Sequence, residues 1–243
     1  MKNILIIGES CRDVFIYGKV ERLEPSAPVP IIQKIETRSN GGMAMNVKNN
    51  FSALGVNPRI LTNANWKTIT KTRLVEHKTN HMFLRLDEGD ADYGKVDLKH
   101  LNYSEYDAIV ISDYNKGFLS REQIKHICEA GDLVFLDTKK PLGLWAESAN
   151  FIKINNHELK QADQVSLTMK SNLIVTMGSQ GALYKDKLYA VESTDIKDLS
   201  GAGDTFLAGL CVKYCETKDI EQAIKYANEC ATKVVQKKGV ATV

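Results

Sequence analysis

The run D-L-S-G-A-G-D-T-F at residues 198–206 carries the strongest chemical signal in the chain. Gly201, Ala202 and Gly203 form a tight turn at the mouth of a helix, with backbone N–H groups left unpaired and the positive end of the helix dipole behind them. Such a turn suits an anion of the phosphate type. Asp204 stands at the same mouth. A carboxylate there is either a helix cap or, if the chain also binds a nucleotide and an alcohol, a base for the alcohol's proton.

Other residues are of the types that chemistry needs. V-T-M-G-S-Q-G-A at 175–182 places a strand before Thr176, Gly178 and Gly181, a turn that reads either as a nucleotide cradle or as a plain hairpin. Asn155 and Glu158 form N-x-x-E on the first turn of a helix, where an amide and an acid either hold a hydrated Mg²⁺ or cap the helix. Asp13, with Gly41, Gly42 and Asn46 of G-G-M-A-M-N at the expected start of a helix, makes a set of hydroxyl binders. Three cations, Arg85 in R-L-D, Lys116 in S-D-Y-N-K-G and Lys139 in D-T-K, are expected to converge on one cleft and match a substrate phosphate.

Positioning these groups requires an α/β frame. Apolar β-rich runs at 4–7, 59–62, 108–112, 133–137, 151–154 and 173–176 alternate with helical stretches at 42–54, 120–130 and 156–162. The runs at 4–7 and 108–111 are continuous rather than alternating. This predicts a mostly parallel sheet covered by helices on both faces. Two consecutive helices are expected at 203–216 and 220–238. The stretch 15–37, with prolines in E-P-S-A-P-V-P, reads instead as a β lid completed by 68–86. Its exposed edges and apolar Val29, Ile31 and Ile32 predict a homodimer.

Composition narrows the class. The chain has 243 residues, 43% hydrophobic and 26% charged, with a net charge of +2. That length buries a core without disulfides, and the balance excludes disorder, collagen and coiled coil. Near-neutral charge without long runs of one sign argues against nucleic-acid or membrane partners. No apolar run approaches the ~20 residues of a membrane span. The five cysteines form no C-x-x-C pair, so reduced thiols and a cytoplasmic location are expected. Neither a P-loop nor a G-x-G-x-x-G after the first strand is present.

Together, these residues resemble the ribokinase-like (PfkB) family of sugar kinases, from about residue 3 to the end of the chain. Within it, R-L-E-P-S-A-P-V-P-I, G-G-M-A-M-N-V, I-T-K-T-R, F-L-R-L-D, I-S-D-Y-N-K-G and D-L-S-G-A-G-D-T are most similar to the heptose 7-phosphate kinases. The resemblance implies one kinase domain over residues 1–243, with ATP and Mg²⁺ as cofactors. It implies Asp204 as base, Gly201–Gly203 at the transferred phosphoryl group, and Asn155 and Glu158 at Mg²⁺. Thr176, Gly178, Gly181 and Asn228 would line the nucleotide site, and Asp13, Gly41, Gly42 and Asn46 would hold the sugar. The implied reaction is phosphorylation of the anomeric hydroxyl of D-glycero-D-manno-heptose 7-phosphate. Another sugar, sugar phosphate or nucleoside, or a degenerate kinase fold that only binds, are the alternatives. The chain is short for the family: little separates Leu61 from I-T-K-T-R, a helix is missing within 159–171, and Glu9 stands where relatives have Asp.

Overall fold

The non-alternating apolar runs form the middle of an eight-stranded sheet. In spatial order its strands are β12 (Lys187–Tyr189), β11 (Ala182–Tyr184), β10 (Leu173–Thr176), β9 (Phe151–Asn155), β8 (Val134–Thr138), β7 (Ala108–Asp113), β1 (Ile4–Gly8) and β4 (Arg59–Leu61). The chain is seen in a computed structural model that describes residues 2–162 and 167–243. The strands from β10 to β4 are parallel, while β11 and β12 add an antiparallel hairpin at one edge.

Both faces of this sheet are covered. Ile4 and Ile6 of β1 pack with α1 (Ala44–Ala53), α5 (Ala202–Thr217) and α6 (Ile220–Val235), whereas Leu5 and Ile7 pack on the other side with α2 (Arg121–Ala130). A strand buried on both faces has no polar side to show, which is why its sequence does not alternate. α5 lies against α1, α6, β7 and β8, so it is apolar nearly all round. Its N-terminus is thereby fixed next to the C-terminal ends of β8, β9 and β10. α2 begins at a Ser120–Gln123 capping box. No helix among the described residues is long and apolar enough to cross a membrane. All five cysteines are buried and free.

A second sheet of four strands has the order β3 (Pro30–Met43), β2 (Ser10–Leu23), β5 (Thr70–Glu76), β6 (Met82–Glu88). It is wider than the stretches 15–37 and 68–86. The prolines at 25 and 28 fall in the connection between β2 and β3, and Pro30 opens β3, where a missing N–H is tolerated.

One expectation is corrected here. Gly41 and Gly42 do not open a helix but end β3, paired with Arg12 and Cys11 of β2. The ladder with β2 satisfies their backbone, and the helix starts only after Met43, whose φ of 60° breaks the strand. The last helix also ends at Val235 rather than at 238. The expected loss of a helix within 159–171 falls partly on residues 163–166, outside the described residues; α3 (Asn156–Lys160) and α4 (Leu167–Asn172) flank them.

Candidate active site

Gly201 caps α5 in the left-handed region at φ 83°, and a Cβ on it would stand 2.7 Å from Asn46 Nδ2. Glycine is required there on both counts. The turn it makes delivers Asp204 to a nearly closed position, 6% exposed. Asn46 Nδ2 donates to Asp204 Oδ2 at 2.8 Å, and the Tyr114 hydroxyl donates to Oδ1 at 2.7 Å. Burial pushes the Asp204 carboxyl up to about 6; the charge of Asp137 adds to that, while the Asn46 and Tyr114 bonds and the Lys153 charge oppose it. Such a group is ionised at neutral pH yet basic enough to take a proton.

Beside it lies a buried cation. Lys153, on β9, is 4% exposed and donates to Asp137 Oδ2 at 2.6 Å. Its Nζ is 3.0 Å from where a Cβ on Gly203 would sit, so only glycine lets the ammonium approach the turn this closely. Asp137 Oδ1 is buried with no partner among the described residues.

A cavity of about 710 Å³ opens from this point. Asp204, Gly203, Lys153, Asn155 and Thr176 line it, as do Gly178 and Gly181 from the β10–β11 turn and Asn228 from α6. The expected nucleotide residues are therefore gathered in one space with the expected base. Asn228 Nδ2 donates to the Tyr189 carbonyl at 2.7 Å, which ties α6 to β12 at the cavity wall. Val191, Ile196, Leu199 and Val235 supply an apolar lining suited to a planar base.

Asn155 and Glu158 form a reciprocal cap on α3. Asn155 Oδ1 accepts the Glu158 N–H at 2.9 Å, and Glu158 Oε2 accepts the Asn155 N–H at 2.8 Å. Lys139 Nζ donates to Glu158 Oε1. Burial works against the Lys139 charge, but Asp137 and Glu158 hold its pKa above the usual lysine value.

The remaining expected residues are held in ion pairs. Asp13, on β2, accepts Arg73 NH1 at 2.6 Å and is 7% exposed. Lys116 Nζ donates to Asp90 Oδ2 at 2.6 Å, and Lys71 Nζ to Asp90 Oδ1 at 2.7 Å. Burial alone would raise the Asp90 pKa, but these two cations and the Tyr93 hydroxyl hold it far below the carboxylate range. Arg85 binds Asp87 through two nitrogens, each at 2.7 Å. Arg85 and Lys116 pair with Asp87 and Asp90, whereas Lys139 lines the cavity and pairs with Glu158. Lys116 follows β7 and Lys139 follows β8 of the main sheet, while Arg85 sits on β6 of the second.

Sequence reasoning passed over Lys153, Asp137, Tyr114, Lys71, Arg73 and Asp90. Tyr114, Asp137, Lys71 and Arg73 stand inside motifs it quoted, without a role. Lys153 had a signal of its own: a lysine in the otherwise apolar F-I-K-I at residues 151–154.

Comparison with known proteins gives the family and the fold. Residues 46–243 match the family described as pfkB family carbohydrate kinase. Bifunctional protein HldE of Helicobacter pylori strain J99 is 29% identical over 299 aligned positions, covering 99% of this chain and 64% of the relative. Its namesake from Helicobacter acinonychis is 30% identical over 298, with the same coverage. The chain thus spans 64% of the length of these relatives. An alignment of 299 positions against 243 residues also leaves at least 56 positions of the relative with no counterpart here. Ribokinase from Thermotoga maritima superposes with a TM-score of 0.73 at 16% identity, over 99% of this chain and 95% of that one. A nucleoside kinase from Methanocaldococcus jannaschii, described as a member of the ribokinase family, gives 0.69 at 21% identity, over 99% and 93%. The fold is ribokinase-like.

Proposed function

This chain belongs to the pfkB family of carbohydrate kinases and is an ATP-dependent sugar kinase, and we propose that its acceptor is the anomeric hydroxyl of D-glycero-D-manno-heptose 7-phosphate. The observation that carries this reading is the run of ion pairs joining Lys71, Arg73, Arg85 and Lys116 to Asp13, Asp87 and Asp90. A sugar phosphate entering there meets charged donors that can transfer from carboxylate to phosphate, at the moment its own charge loses water. The similarity to proteins named bifunctional protein HldE supports the same acceptor.

In this reading Asp13, Asn46 and the ends of β3 at Gly41 and Gly42 hold the sugar, with Arg85 and Lys116 toward its phosphate. Asp204 takes the hydroxyl proton. The turn at Gly201–Gly203 and the Lys153 ammonium meet the transferred phosphoryl group and offset its charge. Thr176, Gly178, Gly181 and Asn228 line the nucleotide site, and Lys139 holds Glu158 in place. Because Asp204 works as a base only when ionised, kcat/KM falls as pH drops through about 6.

The donors present fit Mg²⁺. Asp137 Oδ1, which has no partner among the described residues, and Asn155 line the cavity, and Glu158 is bonded to Asn155 behind it, so the oxygen donors are few, as a cation that keeps its waters requires. Bound, it would offset the negative charge of the nucleotide phosphates.

The test is a panel of free and phosphorylated sugars and nucleosides with ATP, for the wild type and Glu158→Gln, with Mg²⁺ titrated in each. Heptose 7-phosphate should exceed free heptose in kcat/KM, and Glu158→Gln should need more Mg²⁺. Equal kcat/KM for heptose and its 7-phosphate contradicts the acceptor. Best turnover of a nucleoside or another sugar replaces it, and no turnover of any favours a binding module. An unchanged Mg²⁺ titration leaves Glu158 as a helix cap.

The remaining organisation is proposed on the same footing. Residues 1–243 form one cytoplasmic kinase domain, and the second sheet is a lid over the sugar. The lid exposes Met82, Phe83, Leu84 and Leu86 along edge strand β6, with Val29 and Ile35 elsewhere on it. Covering that surface calls for a second copy. Light scattering at micromolar concentration should give a dimer; a monomer contradicts it.

A further inference from the structure

Asp204 has both carboxylate oxygens tethered, and the tether on Oδ1 is the Tyr114 hydroxyl at 2.7 Å. Tyr114 belongs to the loop that follows β7, and that loop is pinned from an unexpected direction. Glu9, between β1 and β2 and fully buried, accepts the Tyr114 N–H on Oε2 at 2.8 Å and the Lys116 N–H on Oε1 at 3.0 Å. The residue between them, Asn115, has φ 57°, a left-handed turn conformation that asparagine adopts more readily than other non-glycine residues. Lys140 and Thr138 fix the preceding Asp113, and Lys139 Nζ lies 5.7 Å from the centre of the Tyr114 ring.

We propose that Tyr114 is a positioning residue for proton transfer, and that Glu9 is the buried anchor that sets it. A carboxylate turns freely about its Cβ–Cγ bond. Donors on two different oxygens stop that rotation, Asn46 on Oδ2 and Tyr114 on Oδ1. The oxygen facing the acceptor hydroxyl then keeps one direction, and the tyrosine hydroxyl favours the ionised carboxylate that the base must be before each turnover. Glu9 contributes at a distance. Two main-chain bonds to one carboxylate fix the loop in register, and thereby the place of the phenol. The titratable groups facing Asp204 are Tyr114 from the β7 loop, Asp137 and Lys139 from the end of β8, and Lys153 from β9. Of these only Tyr114 donates a hydrogen bond to the carboxylate.

This inference rests on Asp204 being the base, and the experiment separates the two. Tyr114→Phe is assayed with ATP and heptose 7-phosphate, or with the fastest panel sugar if that is another. Removing a hydrogen bond to a charged group should lower kcat about 10- to 100-fold. ATP binding should not change. The acid limb of kcat/KM should move up by about one pH unit, because the bond that favoured the ionised form is gone. Glu9→Gln replaces one acceptor oxygen by an amide donor, so one loop anchor is lost. It should move the limb in the same direction without altering any group that touches Asp204. If Tyr114→Phe does not fold, Glu9→Gln decides: a moved limb supports the proposal and an unmoved one overturns it. Wild-type kcat and an unmoved limb in Tyr114→Phe, while Asp204→Asn is inactive, overturn the role of Tyr114 alone. An active Asp204→Asn overturns the assignment of the base.

Discussion

Asp204→Asn should fold, bind ATP and lose turnover by about 10²–10⁴. The amide fills the same space and can still bond Tyr114 and Asn46 in part, but it cannot accept the sugar's proton. Burial is the main cause that lifts the Asp204 carboxyl to about 6, with the Asp137 charge adding to it, so a neutral amide relieves a desolvation cost and stability should not fall. The loss should therefore appear in kcat, with little change in the KM for either substrate. Turnover within a few-fold of wild type, in protein cleared of contaminating kinase, contradicts the assignment of the base.

Lys153→Met should be the next most damaging change, about 10²–10³ in kcat, the scale of removing one preorganised stabiliser of transition-state charge. The argument needs a control, since Lys153 is also half of a buried ion pair with Asp137. Methionine leaves Asp137 buried and unpaired, which costs about 3–5 kcal/mol of stability. Asp137→Asn in the same chain removes the stranded charge and should restore most of the lost Tm. It should not restore kcat. Recovery of both in the double variant assigns Lys153 to structure alone.

What the sequence discloses depends on how local the cause is. β1 and β7 can be read from their apolar runs, because burial on both faces acts on every residue of the strand. The turn at 201–203 is legible for a similar reason, since glycine is demanded by the conformation of Gly201 itself. The second sheet is harder. β2 changes register against β3 between Tyr17 and Gly18 and between Val20 and Arg22, so no single alternation runs its length and its start at Ser10 is hidden. Gly41 and Gly42 read as a helix start because the strand that pairs with them is about thirty residues away.

The site divides in the same way. Asp204, Asn155 and Glu158 stand in short motifs whose geometry is local. Lys153 looks like the solvent-facing member of a strand until α5 is laid over it, and only the tertiary fold makes it a buried cation at the phosphoryl turn. Arg85, Lys116 and Lys139 were all legible as cations near the ligand edge. Asp87, the partner of Arg85, stands in the same R-L-D motif, but Asp90 for Lys116 and Glu158 for Lys139 come from elsewhere in the chain, and no spacing around those cations encodes them.

The most direct test of the central claim is to identify the product by phosphorus NMR after incubation with ATP, Mg²⁺ and D-glycero-D-manno-heptose 7-phosphate. The account predicts ADP and one new phosphate resonance coupled to the anomeric proton, with the 7-phosphate unchanged. A phosphate on any other carbon, or no ADP beyond the level seen without sugar, contradicts it.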